Sequence, residues 1–507
     1  MSDAPLVVIG DALLDRDVEG TVERLAPDAP VPVLDEQHAR MRPGGAALAA
    51  ALAAAEGRPV TLVTALASDN PGRELAALIA AAGVELVDLG LDGPTPEKVR
   101  LRTVAGQPLL RLDRGGLGSG RAGGTGSIGR ATAAARAAIG WASALLVADY
   151  GRGVAAEASI RAALAERAAA DEHAPIAWDP HPRGPAPTPG VLLATPNERE
   201  AAAFVPELAG NGLPAIAERA ATLRQRWGAA HVCVTRGRDG ALLVGDDLAH
   251  PLAIPAPEVG GGADPCGAGD RFSATAAALL ADGARCDEAV AGAVEAASRF
   301  VAAGGAASFR LPADADLRAA TSPPVGPVTG AAVGHASAPP SSTGSAAGAP
   351  AVADLAHAQA VLAATRACGG TTVATGGCFD LLHAGHVRTL EAARALGDCL
   401  VVGINDDASV RRLKGPNRPL VPARDRAAVL AALTCVDAVV VFGEDTPAAL
   451  LERLRPDIWA KGGDYAGAPL PEADGLARWG AQVVVLPHHA GHSTTRLIEE
   501  AANRAAS

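Results

Sequence analysis

Short apolar runs that end in polar clusters recur along the chain in two groups. Runs of this length predict buried strands, and the longer Ala- and Leu-rich segments between them predict helices. Regular alternation of strand, polar loop and helix is typical of a doubly wound α/β domain. The runs of the first group are residues 6–9, 60–63, 84–86, 145–148, 176–178, 192–195 and 232–235, and those of the second group are residues 371–375, 399–404, 437–442, 457–460 and 482–486.

The two groups are separated by residues 319–353, which contain no charged residue and are crowded with Pro, Ser, Thr, Gly and Ala. Such a segment buries too little apolar surface to fold alone, so we predict a disordered linker. We therefore expect a doubly wound domain over residues 1–318 and a smaller Rossmann-like domain over residues 354–507. Two domains also suit a chain of 507 residues, because a single hydrophobic core stops growing at about 250–300 residues.

The composition, with 49% hydrophobic and 20% charged residues, is that of a globular protein. The net charge of −12 argues against broad binding to nucleic acid or anionic membranes, because both require a basic surface. The seven scattered cysteines contain no C-x-x-C pair and predict neither a zinc site nor a disulfide framework. The amino terminus lacks the basic start of a signal peptide, and the longest apolar run, residues 43–55, is too short to span a bilayer. We therefore expect a cytoplasmic protein with small-molecule partners, and a homodimer is one open option for its assembly.

In the first domain, polar residues collect after the predicted strands, where open α/β sheets bind their ligands. Residues 264–272 lead into a predicted helix that ends near residue 282. Small residues at 267–269 leave the N–H groups at the helix start bare, a geometry that stabilises a transferring phosphoryl group. Asp270, in the first turn, is then placed to accept a proton from an attacking hydroxyl. An isolated aspartate there more often only compensates the helix dipole, so the function depends on the accompanying motifs.

The first domain resembles the ribokinase-like family of sugar kinases through four motifs in order: G-D-x-x-x-D from Gly10, R-P-G-G-A-A from Arg42, T-P-N-E-R-E from Thr195 and G-A-G-D from Gly267. The resemblance implies that Asp270 is the catalytic base. It also implies that Mg²⁺ is bound through the ATP phosphates, with Glu200 as a possible protein ligand. By the same resemblance the ATP phosphates are held by Asn197, Glu198, Arg199, Glu200, Gly267, Ala268 and Gly269, and the sugar by Asp11, Asp15, Gly44 and Gly45.

Two residues depart from the family pattern. Leu48 stands where Asn is usual, and Cys266 stands where Thr is usual. Loss of the Asn removes a hydrogen bond to the sugar. The alternative is therefore a catalytically weak or silent domain that senses a sugar phosphate and regulates an active second domain.

In the second domain, an apolar strand, a short loop and a helical pattern that opens at His386 place two histidines, His383 and His386, at a strand-to-helix transition. A helix start exposes unpaired N–H groups and the positive end of the dipole, which favour phosphate. Gly385 between the histidines lacks the Cβ that would block phosphate from the backbone. The alternative for a bare H-x-G-H pattern is two ordinary loop histidines.

The second domain resembles the cytidylyltransferase-like nucleotidyltransferases, which share the H-x-G-H signature. The order C-F-D-x-x-H-A-G-H, R-L-K-G, K-G-G-D-Y and S-T-T-R-L-I covers the whole domain. The resemblance implies that His383 and His386 hold a triphosphate and that Lys414 neutralises the pyrophosphate or the acceptor phosphate. It further implies nucleotide contacts from Lys461, Gly462, Asp464, Ser493, Thr494 and Thr495, and a substrate contact from Arg418.

The domain order resembles that of the bifunctional enzymes that fuse a heptose kinase ahead of an adenylyltransferase. The resemblance implies that ATP and Mg²⁺ serve two steps of ADP-heptose synthesis. The first step phosphorylates the anomeric hydroxyl of D-glycero-β-D-manno-heptose 7-phosphate, and the second transfers AMP to heptose 1-phosphate. The residues alone leave open a different sugar, or CTP with a polyol phosphate.

Overall fold

The computed structural model describes residues 4–115, 127–170, 175–210, 212–257, 264–311, 354–462 and 470–487. The chain divides into an amino-terminal unit and a carboxy-terminal unit, with the boundary after Leu311. The predicted linker, residues 319–353, lies outside the described residues, so the predicted domain limits stay a prediction. None of the described helices is long and apolar enough to cross a bilayer.

The strands of the amino-terminal unit form one large sheet and two smaller ones. They are β1 Leu6–Gly10, β2 Ala12–Leu25, β3 Pro32–Gly45, β4 Val60–Thr64, β5 Glu85–Asp88, β6 Leu91–Asp92, β7 Glu97–Thr103, β8 Pro108–Arg114, β9 Ser127–Ile128, β10 Ala144–Ala148, β11 Ile176–Asp179, β12 Leu193–Ala194, β13 His231–Thr235, β14 Ala241–Gly245 and β15 Leu252–Ile254. The helices are α1 Ala46–Ala54, α2 Asn70–Ala81, α3 Ala133–Trp141, α4 Ala158–Ala170, α5 Glu198–Phe204, α6 Leu213–Trp227, α7 Ala268–Ala281 and α8 Cys286–Ala302.

The large sheet has the order β15-β14-β13-β12-β11-β10-β1-β4-β5. All neighbouring pairs from β5 to β13 are parallel, and β14 and β15 complete the edge with antiparallel pairs. The chain moves outward from β1 to β4 and β5 and then returns to the other side at β10. The switch point, where open sheets of this kind bind ligands, therefore lies between the carboxyl ends of β1 and β10.

The large sheet is buried on both faces, which explains why its strands have continuous apolar runs. Successive residues of β1 belong to different hydrophobic clusters: Leu6 and Val8 pack with α1, whereas Val7 and Ile9 pack on the other face with α3 and α4. This arrangement confirms the predicted doubly wound fold.

A four-stranded sheet of order β3-β2-β7-β8 was not predicted from the sequence. Residues 12–16 begin the 14-residue strand β2, where no strand is predicted. The first half of β2 buries apolar and charged residues alike, and Asp15 and Asp17 pair with arginines of neighbouring strands. The alternation of apolar and polar residues that would predict a half-buried strand is therefore missing. The short strands β6 and β9 form a separate antiparallel pair.

The carboxy-terminal unit contains the predicted Rossmann-like sheet, whose five strands are parallel and have the order β18-β17-β16-β19-β20. The chain leaves β16 toward β17 on one side and later returns to β19 on the other, so the switch point lies between the carboxyl ends of β16 and β19. The strands are β16 Thr372–Gly377, β17 Cys399–Asn405, β18 Ala438–Phe442, β19 Ile458–Lys461 and β20 Gln482–Val485, and the helices are α9 Leu355–Ala367, α10 Ala384–Arg394, α11 Asp407–Lys414, α12 Ala423–Ala431, α13 Ala448–Leu454 and α14 Ala473–Ala477.

One predicted helix limit changes in the structure. The helix predicted to open at His386 begins two residues earlier, at Ala384, because His383 is extended and serves as its N-cap residue.

We predict that Leu146→Ala destabilises the amino-terminal unit by about 2–5 kcal/mol, because Leu146 lies on the central strand β10 with no exposed surface and its truncation leaves a cavity. Leu110→Ala is the matched control, because Leu110 is 58% exposed and the change is expected to stay within about 0.5 kcal/mol. Urea unfolding of the full chain followed by circular dichroism measures both. Equal unfolding midpoints for the two variants would contradict the placement of the core.

Candidate active sites

The carboxylate of Asp11, directly after β1, fixes the loop that follows β10. It accepts hydrogen bonds from the backbone N–H groups of Tyr150 at 3.1 Å, Arg152 at 2.9 Å and Val154 at 2.9 Å. Asp11 is buried. Its two oxygens thus hold together the two strand ends at the switch point, and the predicted contact of Asp11 with a sugar stays a prediction.

Asp15 lies in β2 beside two arginines. Its carboxylate is 3.0 Å from Nη1 of Arg100 and 3.6 Å from Nη2 of Arg42, and both Asp15 and Arg42 are buried. A Cβ at Gly44 would lie 2.5 Å from Cδ1 of Leu13 and 2.9 Å from Oδ2 of Asp15, and one at Gly45, where φ is +61°, would lie 2.5 Å from the carbonyl oxygen of Asp11. Both glycines are therefore required by close packing against residues 11–15.

A cavity of about 200 Å³ opens between the switch point and the start of α7. The structure brings Asp270 together there with several predicted phosphate contacts. Of those predicted, Asn197, Glu200, Gly267 and Gly269 line the cavity, and so do Asp149, Tyr150, Asp179, Pro180, His181, Thr195, Thr235 and Phe272. Ala268 is the first residue of α7. Glu198 instead accepts a hydrogen bond from Nε of Arg236 at 3.2 Å, and Arg199 is exposed.

Asp270 lies buried in the first turn of α7, after Gly267 with φ +81°. The hydroxyl of Tyr150 donates a hydrogen bond to its Oδ1. Burial raises the pKa of Asp270 to about 7, while the Tyr150 hydrogen bond and the ammonium of Lys98 act in the opposite direction. A carboxyl with this pKa can both accept and hold a proton near neutral pH, as a general base requires.

Asn197 and Glu200 form a capping box at the start of α5. The Asn197 side chain accepts a hydrogen bond from the Glu200 backbone N–H at 3.0 Å, and the Glu200 carboxylate accepts one from the Asn197 N–H at 2.9 Å. Helix capping therefore explains the N-x-x-E spacing without any bound ligand. Burial raises the pKa of Glu200.

Three groups at this site were missed from the sequence as functional residues: Lys98, Tyr150 and Asp179. The Lys98 ammonium is 5.2 Å from the centroid of the Tyr150 ring, and burial lowers its pKa. Burial also raises the pKa of Asp179 well above its usual value. For Tyr150 and Asp179, the only sequence signal was their position at or just after the end of a predicted strand. Lys98 belongs to the sheet that was not predicted.

In the carboxy-terminal unit, the loop after β16 brings His383 and His386 together at the start of α10. Their rings are stacked, with centroids 3.9 Å apart and an interplanar angle of 27°. Phe379, which has an unusual positive φ of 46°, places its ring 5.3 Å from the His386 ring. Burial lowers the pKa of His386 to about 4, and the nearby His383 and Lys414 contribute to the decrease. Without a bound phosphate, His386 is therefore neutral at pH 7.

A buried carboxylate also organises this second site. Asp380 accepts hydrogen bonds from the backbone N–H groups of Leu420 at 2.7 Å and Val421 at 3.0 Å, and it pairs with Nε of Arg418. The predicted substrate residue Arg418 is thus held against the loop after β16. Arg426, which was missed from the sequence, is buried and reinforces this loop by hydrogen bonds to the carbonyl oxygens of Cys378 and Val421 and to Asp407.

The remaining predicted residues of the second site are partly described. Lys461 ends β19 at the switch point, 3.5 Å from Oε1 of Glu472, and burial lowers its pKa. Gly462 follows it. Lys414 is exposed as the last residue of α11. The predicted residues Asp464, Ser493, Thr494 and Thr495 lie outside the described residues.

Comparison with known proteins gives a match for each unit. Residues 3–314 match the pfkB family of carbohydrate kinases, and residues 374–500 match the cytidylyltransferase-like family. The chain is 52% identical to the bifunctional protein HldE of Streptomyces coelicolor, covering 99% of this chain and 97% of that protein. It is 39% identical to the bifunctional protein HldE of Azorhizobium caulinodans, covering 98% of each. Among solved structures, Arabidopsis thaliana ribokinase complexed with ribose and ATP is 21% identical with a TM-score of 0.45, covering 59% of this chain and 92% of that one.

We predict that Lys414→Met raises the pKa of His386, because the lysine cation disfavours the protonated imidazole. Arg411→Met, on the same helix, is the control and is expected to leave this pKa unchanged. Imidazole resonances followed by NMR between pH 3 and 8 measure the titration in the full chain. A midpoint for His386 near the usual histidine value of about 6.5 in the unmodified protein would contradict the burial argument.

Proposed function

The chain belongs to the HldE family of bifunctional proteins, and on that premise we propose that its two units catalyse two steps in the synthesis of ADP-heptose. It is a carbohydrate kinase and a nucleotidyltransferase in one polypeptide. In the first proposed step, ATP phosphorylates the anomeric hydroxyl of D-glycero-β-D-manno-heptose 7-phosphate. After a separate phosphatase removes the 7-phosphate, the second step joins heptose 1-phosphate to AMP and releases pyrophosphate. The observation that supports both steps is that Asp270 in one unit, and His383 with His386 in the other, lie at the start of a helix beside a switch point.

The kinase step requires a base and a binding site for the phosphoryl group that is transferred. The sugar hydroxyl loses its proton to Asp270 while its oxygen bonds to the γ-phosphorus, and the bond from that phosphorus to the leaving ADP oxygen breaks. The N–H groups at the start of α7, after Gly267, face the developing charge on the phosphoryl oxygens. Burial raises the pKa of Asp270 to about 7, so the carboxylate is a stronger base than an ordinary aspartate and is still partly ionised at neutral pH.

The residues at the cavity suit Mg²⁺ carried by ATP. Mg²⁺ is usually held by one or two carboxylates together with substrate phosphates, not by a cage of protein ligands. Within the described ranges, no three His, Cys, Asp or Glu side chains are grouped to hold a metal ion, but the carboxyls of Glu200 and Asp179 line the cavity. We propose Glu200 as the protein contact. The ion would offset the charge of the triphosphate.

The transferase step requires stabilisation of a leaving pyrophosphate. An oxygen of heptose 1-phosphate bonds to the α-phosphorus of ATP, and the bond from that phosphorus to the bridging oxygen of pyrophosphate breaks. His383 and His386 donate hydrogen bonds to the phosphates at the start of α10, and Lys414 supplies the positive charge. Lys414 and the histidine pair together face the negative charge that develops on the leaving pyrophosphate.

The alternative of a silent, sugar-sensing kinase unit rests on Leu48 and Cys266. In the structure these two residues belong to one apolar cluster with Leu52, Ala306 and Phe300. The two departures from the family pattern therefore lie together in one packed cluster. Asp270 lines one cavity with Asn197 and Glu200, and the presence of these three residues supports catalysis over sensing.

We also propose a cytoplasmic location. All seven cysteines are free thiols, which suits a reducing compartment.

We predict that Asp270→Asn lowers kinase kcat by about 10²–10⁴-fold, because the amide cannot accept the sugar proton. The transferase activity of the same polypeptide is expected to remain unchanged and serves as the control for folding. Mass analysis of the products from heptose 7-phosphate and Mg-ATP measures the bisphosphate. Bisphosphate formation at the wild-type rate would exclude Asp270 as the base.

We predict the converse for His383→Ala. Pyrophosphate release from ATP and heptose 1-phosphate is expected to fall by at least about 10²-fold, since one charge-stabilising donor is lost at the leaving group. Kinase activity in the same preparation is the control. Competition between ATP and CTP in this assay identifies the nucleotide, and preferential use of CTP would contradict the adenylyl step.

A further inference from the structure

Tyr150 connects the switch point to the buried base of α7. Its backbone N–H is held by Asp11, and its hydroxyl donates to Oδ1 of Asp270, a residue 120 positions away. The loop that carries Tyr150 is also held by Asp11 at Arg152 and Val154. The position of the phenol is therefore set by a buried carboxylate that is separate from the reacting groups.

Five charged or titratable side chains besides Tyr150 surround the same site. They come from different elements packed around α7: Asp15 in β2, Lys98 in β7, Asp149 after β10, Asp179 in β11 and Glu200 in α5. Lys98 favours the ionised form of Asp270, whereas Asp15 disfavours it. Among the described residues, Tyr150 is the side chain that hydrogen-bonds the Asp270 carboxylate, and it donates this bond.

The direction of that bond has two consequences. A hydroxyl that donates to a carboxylate stabilises the ionised, proton-accepting form of that group. With Oδ1 engaged by the phenol, Oδ2 is the oxygen that can receive the sugar proton. A base buried among other carboxyls needs such a donor, since burial alone would favour the protonated form.

We propose that Tyr150 is a positioning residue of the kinase, which keeps Asp270 ionised and turns its Oδ2 toward the sugar hydroxyl, and that Asp11 holds Tyr150 in place. This inference rests on the proposed kinase function, and it assigns Asp11 to the loop instead of to the sugar.

The first test is the pH profile of kinase kcat/KM for Tyr150→Phe in the full chain. The phenylalanine keeps the ring but removes the hydroxyl, so the ascending limb is expected to move to higher pH by about one unit. At pH values below the ascending limb, this shift corresponds to a kcat/KM about tenfold lower than that of the unmodified enzyme. On the alkaline side the rate is expected to approach that of the unmodified enzyme. Tyr465→Phe, at the other tyrosine of the chain, is the control and is expected to leave the limb in place.

A uniform loss of rate with an unmoved limb would show that Tyr150 serves only folding or packing, and it would refute the proposal. Transferase activity of the same polypeptide reports whether the variant has folded.

The second test does not depend on activity. With 3-fluorotyrosine incorporated, the chain has two fluorine resonances, because it contains two tyrosines. The Tyr150 resonance is identified by its loss in Tyr150→Phe. It is expected to titrate with a midpoint near pH 7, the pKa of Asp270.

Asp270→Asn separates this response from that of Asp149, whose pKa burial also raises to about 7. The titration is expected to disappear in Asp270→Asn, and its persistence there, or a flat response in the unmodified protein, would refute the contact. If the Tyr150 fluorine resonance titrates as expected but the unmodified protein does not phosphorylate the heptose, the proposed kinase function is refuted and the Tyr150–Asp270 contact is still supported.

Discussion

The buried carboxylate of Asp11 is the constraint on which the amino-terminal site depends. A carboxylate that is removed from water must be compensated by hydrogen bonds, and Asp11 obtains three from backbone N–H groups of the loop after β10. The loop gains a fixed shape from the same bonds. Strand β1 therefore determines where Tyr150 lies, and Tyr150 in turn contacts Asp270 at the start of α7.

The carboxy-terminal unit also contains a buried carboxylate that is compensated by backbone hydrogen bonds. Asp380 follows the central strand β16, is buried, and accepts two backbone N–H bonds from the loop at Leu420 and Val421. In both units, the aspartate after the first strand acts as a scaffold, while the reacting groups lie at the start of a helix. The buried carboxylate holds the surrounding loops in place, and the N–H groups at the helix start remain available to bind phosphate.

Burial shifts the pKa of one group in each site, and the two shifts have opposite signs. It raises the pKa of Asp270 to about 7 and lowers that of His386 to about 4. Each shift favours the uncharged form of the group. The carboxyl thus gains a pKa suited to the base proposed for the kinase step, and the imidazole without bound phosphate is uncharged at neutral pH. Lys414 and the metal ion proposed to accompany ATP are the proposed sources of positive charge for the nucleotide phosphates.

The sequence by itself determined the two doubly wound sheets and the glycine and histidine motifs at the helix starts, because apolar runs and helix-start residues are local signals along the chain. It did not reveal the sheet of β2, β3, β7 and β8, since buried ion pairs replace the apolar alternation there. Tertiary structure alone decided which side chains meet. Asp15 and Arg100 are 85 residues apart and Tyr150 and Asp270 are 120 apart, so their pairing follows from chain topology. The pKa values of Asp270 and His386 were likewise decided by burial, which no local pattern records.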